Sequence, residues 1–173
     1  MAAPALFVLA ACGSSTGGDN NPTVSSPAPA SSSTATSSAA AAQPVCPDQI
    51  PIQDPVIAAA VNSVQVPNGR VTTVRVSKDS GHPGEQAIAI DLCILPQVTA
   101  NQLRPIATQY AKAIKTSPVA GTTFAVYVAN YAYGPDKKVV GEVKLKDGEF
   151  KSHLWNGKPS EKAENERWEV VGG

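Results

Sequence analysis

The chain has 173 residues, with 14 Lys plus Arg against 14 Asp plus Glu and a pI near 6.7. That length fits about one domain, and the charge balance excludes both the basic surplus of a nucleic-acid binder and the acidic block of a solvating tail. The balance hides an asymmetry, because residues 1 to 44 hold a single charged side chain, Asp19, and the other 27 all fall in residues 45 to 173.

Ala5-Leu6-Phe7-Val8-Leu9-Ala10-Ala11 is apolar but too short to cross about 30 Å of hydrocarbon, which takes roughly 20 residues. It reads as the core of a signal peptide. The run ends in Leu9-Ala10-Ala11-Cys12 and is followed by Gly13-Ser14-Ser15. Those four residues resemble the lipobox of bacterial lipoproteins, in which a large aliphatic residue and two small ones precede the lipidated cysteine. The resemblance implies a signal peptide over residues 1–11, removal of that peptide, and a diacylglyceryl group on the Cys12 thiol. It also implies export and anchoring on the extracytoplasmic face of the cell membrane. No Lys or Arg precedes the apolar core, whereas signal peptides open with positive charge, so the natural start is expected upstream of the written one. Each buried methylene contributes about 0.8 kcal/mol, so two acyl chains anchor stably where one binds only marginally.

Residues 13–44 comprise 32 positions, of which 27 are Ser, Thr, Ala, Gly or Pro, and Val24 is the only aliphatic residue larger than Ala. Such a stretch cannot bury enough apolar surface to offset the entropy of ordering its backbone, so a disordered tether over 12–44 is expected. Its root-mean-square reach is roughly 30 Å. The Ala-, Ser- and Pro-rich spacer behind the lipobox resembles those of small envelope lipoproteins of high-GC Gram-positive bacteria, the mycobacteria and other actinobacteria among them. Its Ser, Thr and Pro content is also similar to O-glycosylated spacers.

Residues 45–173 are long enough to bury one hydrophobic core. With Cys12 committed to lipid, Cys46 and Cys93 remain, and in an oxidising compartment that arithmetic points to one disulfide between them. Asp54-Pro55 starts a helix that puts Ile57, Ala60, Val61 and Val64 on one face. After Pro67-Asn68-Gly69, a strand is expected over Val71–Val76. Glu85 to Leu95 alternates Ile88, Ile90, Leu92 and Ile94 with Ala87, Ala89, Asp91 and Cys93, a strand with one core face. Cys93 lies on the other face, where the segment around Cys46 can cross it.

Leu103, Ile106, Ala107, Tyr110, Ala111 and Ile114 recur at helical spacing, which predicts a helix over about Asn101–Thr116. Two starts compete: Thr99 with Gln102 has capping-box spacing, while a cap at Asn101 keeps Pro105 nearer the first turn, where proline costs less. Past Ser117-Pro118, Thr123–Tyr133 reads as a strand with Phe124, Val126 and Val128 on one face and Tyr127, Tyr131 and Tyr133 on the other. Gly134-Pro135-Asp136 turns the chain into a strand over Lys138–Lys146. Asp147-Gly148 is a hairpin signal, with Phe150–Trp155 the returning strand and Trp168–Val171 a last short one. The order describes an α+β domain over 45–173: an antiparallel sheet of four to six strands covered on one face by the long helix.

No Gly-x-Ser-x-Gly elbow, Gly-x-Gly-x-x-Gly or P-loop occurs, so no nucleophile elbow, nucleotide or other cofactor is implied. His82 and His153 lack the spacing of metal ligands, and no metal is expected. Asp136, Glu142, Asp147 and Glu149 sit in turns or alternate with Lys, as on solvated strand faces. The groups that stand out are aromatic: Tyr127, Tyr131 and Tyr133 share a strand face, and with Trp155 they offer the large, rigid contact area of a binding surface. The resulting expectation is a lipid-anchored envelope protein with a non-catalytic binding domain whose ligand is a lipid, a glycan or a protein. An inhibitor or phage-exclusion role fits the same architecture. The alternative, an envelope hydrolase, requires a cleft that gathers His82 or His153 with carboxylates.

Overall fold

The Asp54 carboxylate accepts the Val56 and Ile57 amides at 2.8 and 3.1 Å and so starts helix α1, Pro55–Asn62. It does so in a computed structural model that describes residues 45–173. The expected signal peptide, the expected lipidation at Cys12 and the expected tether fall on residues 1–44, outside the described residues. Ile57, Ala60 and Val61 are buried as their spacing requires.

Strands β1 (Gly69–Ser77) and β2 (Gln86–Ile94) follow, then helix α2 (Ala100–Lys115), a 3-10 turn over Pro118–Thr122, β3 (Thr123–Tyr133) and β4 (Val139–Asp147). A short helix α3 (Glu161–Asn165) and β5 (Glu169–Gly172) complete the chain. The five strands lie side by side in sequence order. The fold is α+β, but the sheet is mixed and not antiparallel, because β2 and β3 run parallel while the other three pairs are antiparallel. The physical reason is the connection. A helix between two neighbouring strands returns the chain to the end at which the first strand began, which makes the strands parallel.

Of the two competing starts for α2, Thr99 is the cap: its hydroxyl accepts the Gln102 amide, and Gln102 Oε1 accepts the Thr99 amide at 2.9 Å. That leaves Pro105 inside the helix, where its ring removes one donor to the Asn101 carbonyl. Both residues are exposed, so water can take the freed acceptor. Leu103, Ala107, Tyr110, Ala111 and Ile114 face the core, where they meet Ile88, Ile90, Leu92 and Ile94 of β2. Val126 and Val128 of β3 and Leu145 of β4 extend the same face. Phe124 does not join them. A register shift at the start of the β2–β3 pairing breaks the alternation there, as β-bulges do, and turns Phe124 away from the core.

The expected strand over Phe150–Trp155 does not form. Asp147 Oδ1 accepts the Glu149 amide, and the Glu149 carbonyl accepts the amides of both Ser152 and His153. These bonds coil the chain, and the next partner of β4 is β5. The excursion carries Phe150, Trp155 and Trp168 into the core. Cys46 and Cys93 are joined by a disulfide, with Cα atoms 5.6 Å apart.

Candidate functional site

Helices α1 and α2 pack on the isoleucine face of the sheet. The opposite face carries buried Ala87, Ala125 and Ala129 beneath longer neighbours, chief among them Arg75, Tyr127, Tyr131, Lys144 and Lys146. Both lysine ammonium groups approach the Tyr127 ring, at 5.6 and 5.8 Å from its centre. The Tyr131 hydroxyl donates to Glu142 Oε1 at 3.2 Å. Burial, and then the charges of Asp91 and Glu142, hold its proton more firmly than usual. Tyr133 is half-buried at the far end of β3.

Asp91 accepts from Arg75 Nη2 at 2.9 Å on this face. Burial nevertheless raises the Asp91 carboxyl above the ordinary 3.8, outweighing the opposing pull of the guanidinium. The native state therefore holds this proton more tightly than the unfolded chain does. The stabilisation from that proton is complete below pH 3.8 and is lost as pH rises through the raised titration. Asp91→Asn removes that dependence. Relative to the parent, the variant is expected to gain stability as pH rises from about 3 to 7 in urea titrations. At neutral pH the net cost is expected to stay under about 1 kcal/mol, because Arg75 is mostly exposed and keeps its hydration.

At the end of the sheet where β2 and β3 begin and β4 ends, this face opens into a cleft of about 500 Å³, within the roughly 300–1,000 Å³ of small-molecule sites. The β1–β2 loop supplies Asp79 and His82, and β3 supplies Phe124 and Tyr127. The end of β4 and the turn after it supply Lys146, Asp147, Glu149 and His153, while Arg167 and Glu169 come from the entry into β5. His82 stacks flat on Phe124, with ring centres 4.0 Å apart, and its Nδ1 lies 3.7 Å from Glu85 Oε2. Glu85 also pairs with Lys151, which ties the β1–β2 loop to the turn after β4.

Asp147 is 1% exposed, a correction to its expected place on a solvated strand face. Its register partner is Val126, so its carboxylate turns toward the core side. There Oδ2 accepts Trp155 Nε1 at 3.0 Å and Oδ1 accepts the Glu149 amide at 3.0 Å. His153 Nδ1 lies 2.9 Å from Oδ1, at ion-pairing distance but outside hydrogen-bonding angles. Trp155 is 3% exposed, so it belongs to the core and not to a binding surface. Its ring lies 5.2 Å from Trp168, and a left-handed φ of 50° lets its indole reach Asp147.

No protein-family model, curated protein or solved structure matches this chain.

Of the tyrosines singled out in the sequence, Tyr127 alone lines the cleft; Tyr131 and Tyr133 lie further along β3. The two histidines, which lack the spacing of metal ligands, line the cleft together with carboxylates. Arg167 and Glu169 gave no sequence signal, since neither belongs to a motif. Among the described residues no cluster of three or more His, Cys, Asp or Glu is placed to hold a metal ion, and no helix is long and apolar enough to cross a membrane.

Proposed function

We propose that the chain is a lipid-anchored protein of the bacterial cell envelope whose domain binds a glycan in this cleft. The observation that supports the reading best is the meeting of Tyr127 with both donors and acceptors at one end of the helix-free sheet face. Sugars present apolar ring faces and many hydroxyls, and aromatic, carboxylate, guanidinium and imidazole groups complement them together. A lipid tail would need an apolar lane, yet among the described residues Phe124 and Ala125 are the only wholly apolar side chains in the lining. A nucleic acid would need a cationic surplus, whereas four carboxylates here face Lys146 and Arg167. The lipobox at Cys12 and the spacer behind it support the address.

Two measurements test the reading. Cys12→Ser is expected to release the full-length protein from membranes of a lipoprotein-processing host into the soluble fraction, and retention in the membranes counts against the anchor. Oligomers of β-1,4-linked N-acetylglucosamine are expected to bind the full-length protein in calorimetry, with Tyr127→Ala weakening binding about tenfold, or roughly 1.4 kcal/mol. An absence of binding by the parent protein overturns the glycan reading.

A further inference from the structure

We propose that the cleft also hydrolyses short acyl esters carried on its glycan, with His153 as general base and Asp147 as its positioning residue. The inference rests on the glycan-binding reading of the same cleft.

The chemistry begins with the two nitrogens of His153. Nδ1 is buried against the Asp147 carboxylate, while the ring itself borders the cleft and is one fifth exposed. Nε2 is therefore the nitrogen left to face a ligand. A buried carboxylate beside Nδ1 favours the tautomer whose proton sits there, which leaves the Nε2 lone pair free to take a proton. Asp147 is itself held from two further sides, by Trp155 Nε1 and the Glu149 amide. The carboxylate thus has little freedom to turn away.

Among the described residues the lining contains no Ser, Thr or Cys. Ser152, next to His153 in sequence, instead donates to Glu149 Oε2 at 3.4 Å and lies outside the lining. Water is then the nucleophile. His153 Nε2 takes a proton from it as its oxygen attacks the acyl carbon, and the carbonyl pair moves onto oxygen. The resulting oxyanion forms in a cleft that holds the Lys146 and Arg167 cations, the kind of charge that stabilises it. On collapse the bond from the acyl carbon to the sugar oxygen breaks, and the imidazolium returns its proton to the departing alkoxide. Ester plus water gives a carboxylic acid plus a free sugar hydroxyl, and His153 ends neutral as it began.

The same lining narrows the substrate. A phosphodiester carries negative charge that the surplus of carboxylates opposes, and a long acyl chain finds no apolar lane. A neutral, short ester such as an acetyl group on a sugar hydroxyl meets both limits.

The test uses the full-length protein with 6-O-acetylated N-acetylglucosamine oligomers, following acetate release by proton NMR, and the same oligomers without acetyl groups as binding probes. The parent is expected to release acetate above the buffer rate. His153→Asn is expected to lower kcat by a hundredfold or more, the scale of a lost general base. Asp147→Asn keeps an acceptor for Trp155 but can present an NH₂ group to Nδ1, which favours the wrong tautomer. It is expected to lower kcat at least tenfold while KM changes by no more than a few-fold, a split that a general loss of structure would not give. Binding of the unacetylated oligomer without acetate release from the acetylated one overturns the hydrolytic inference and leaves the binding reading standing. Neither binding nor release overturns both. Equal release by the parent and by His153→Asn also overturns the inference.

Discussion

Trp168→Ala is expected to lower the unfolding free energy by about 3–5 kcal/mol, the range for deleting a buried aromatic side chain. Trp168 is 2% exposed, and its ring lies against Trp155. Its Nε1 donates to Thr108 Oγ1 at 3.0 Å, and that hydroxyl donates on to Asn165 Oδ1 at 2.7 Å. One side chain, just before β5, is thereby tied to α2 and α3. Against a total stability of about 5–15 kcal/mol, such a loss brings the domain near its limit. Trp168→Phe separates the two contributions, since it keeps most of the buried ring and loses the hydrogen bond, for about 1–2 kcal/mol. Urea unfolding followed by far-UV circular dichroism checks both variants. A loss below about 1 kcal/mol for the alanine variant would place Trp168 outside the core. The effect should reach the cleft as well, because Trp155 leans on Trp168 and holds Asp147 in place.

The alternation of Ile88 to Ile94 and the helical spacing of Leu103 to Ile114 marked the residues that meet between helix and sheet, and both elements lie where those periods put them, although Ala87, Asp91 and Cys93 on the other face of β2 are buried as well. The cysteine pair was legible by counting. Strand direction was not, because periodicity shows which face of a strand is buried but carries no sign for the partner's direction. That one ambiguity also concealed the cleft. With β2 and β3 antiparallel, the β1–β2 loop carrying His82 would meet β3 at its Tyr133 end. The parallel pairing brings the loop to Phe124 instead. The cleft then gathers four separate stretches of chain, around residues 79–82, 124–127, 146–153 and 167–169, and no local motif joins them. The Asp147-Gly148 hairpin signal failed because the Asp147 carboxylate caps its own turn and binds an indole. Helix α3 has five residues, too few to show a period. What fixes it is tertiary: Glu164, fully buried, accepts the Gly157 amide at 2.7 Å and lies 3.0 Å from Lys112 Nζ.

Cys46→Ser is expected to cost about 3–4 kcal/mol, close to the chain-entropy limit for a loop whose ends are 47 residues apart. Cys93 is fully buried on the interior strand β2, whereas Cys46 is half-buried in the segment leading to α1, so replacing Cys46 disturbs the native packing less. Without the bridge that segment keeps the bond from the Ile50 amide to the Thr72 carbonyl at 2.8 Å and the exposed Arg70–Asp48 pair. An exposed ion pair contributes at most about 1 kcal/mol, so neither restores the loss. Reduction of the parent protein should give the same shift in the urea midpoint, which separates the missing cross-link from the added hydroxyl; equal midpoints for oxidised and reduced protein would contradict the claim. The cleft should be spared in the folded fraction, because Cys93 sits near the far end of β2, roughly 23 Å from Gln86 at 3.3 Å per residue. The bridge also sets where load enters the fold. If Cys12 anchors the chain, tension arriving through residues 13–44 passes at Cys46 into β2, a strand hydrogen-bonded on both sides, and the cleft end of the sheet stays out of that path.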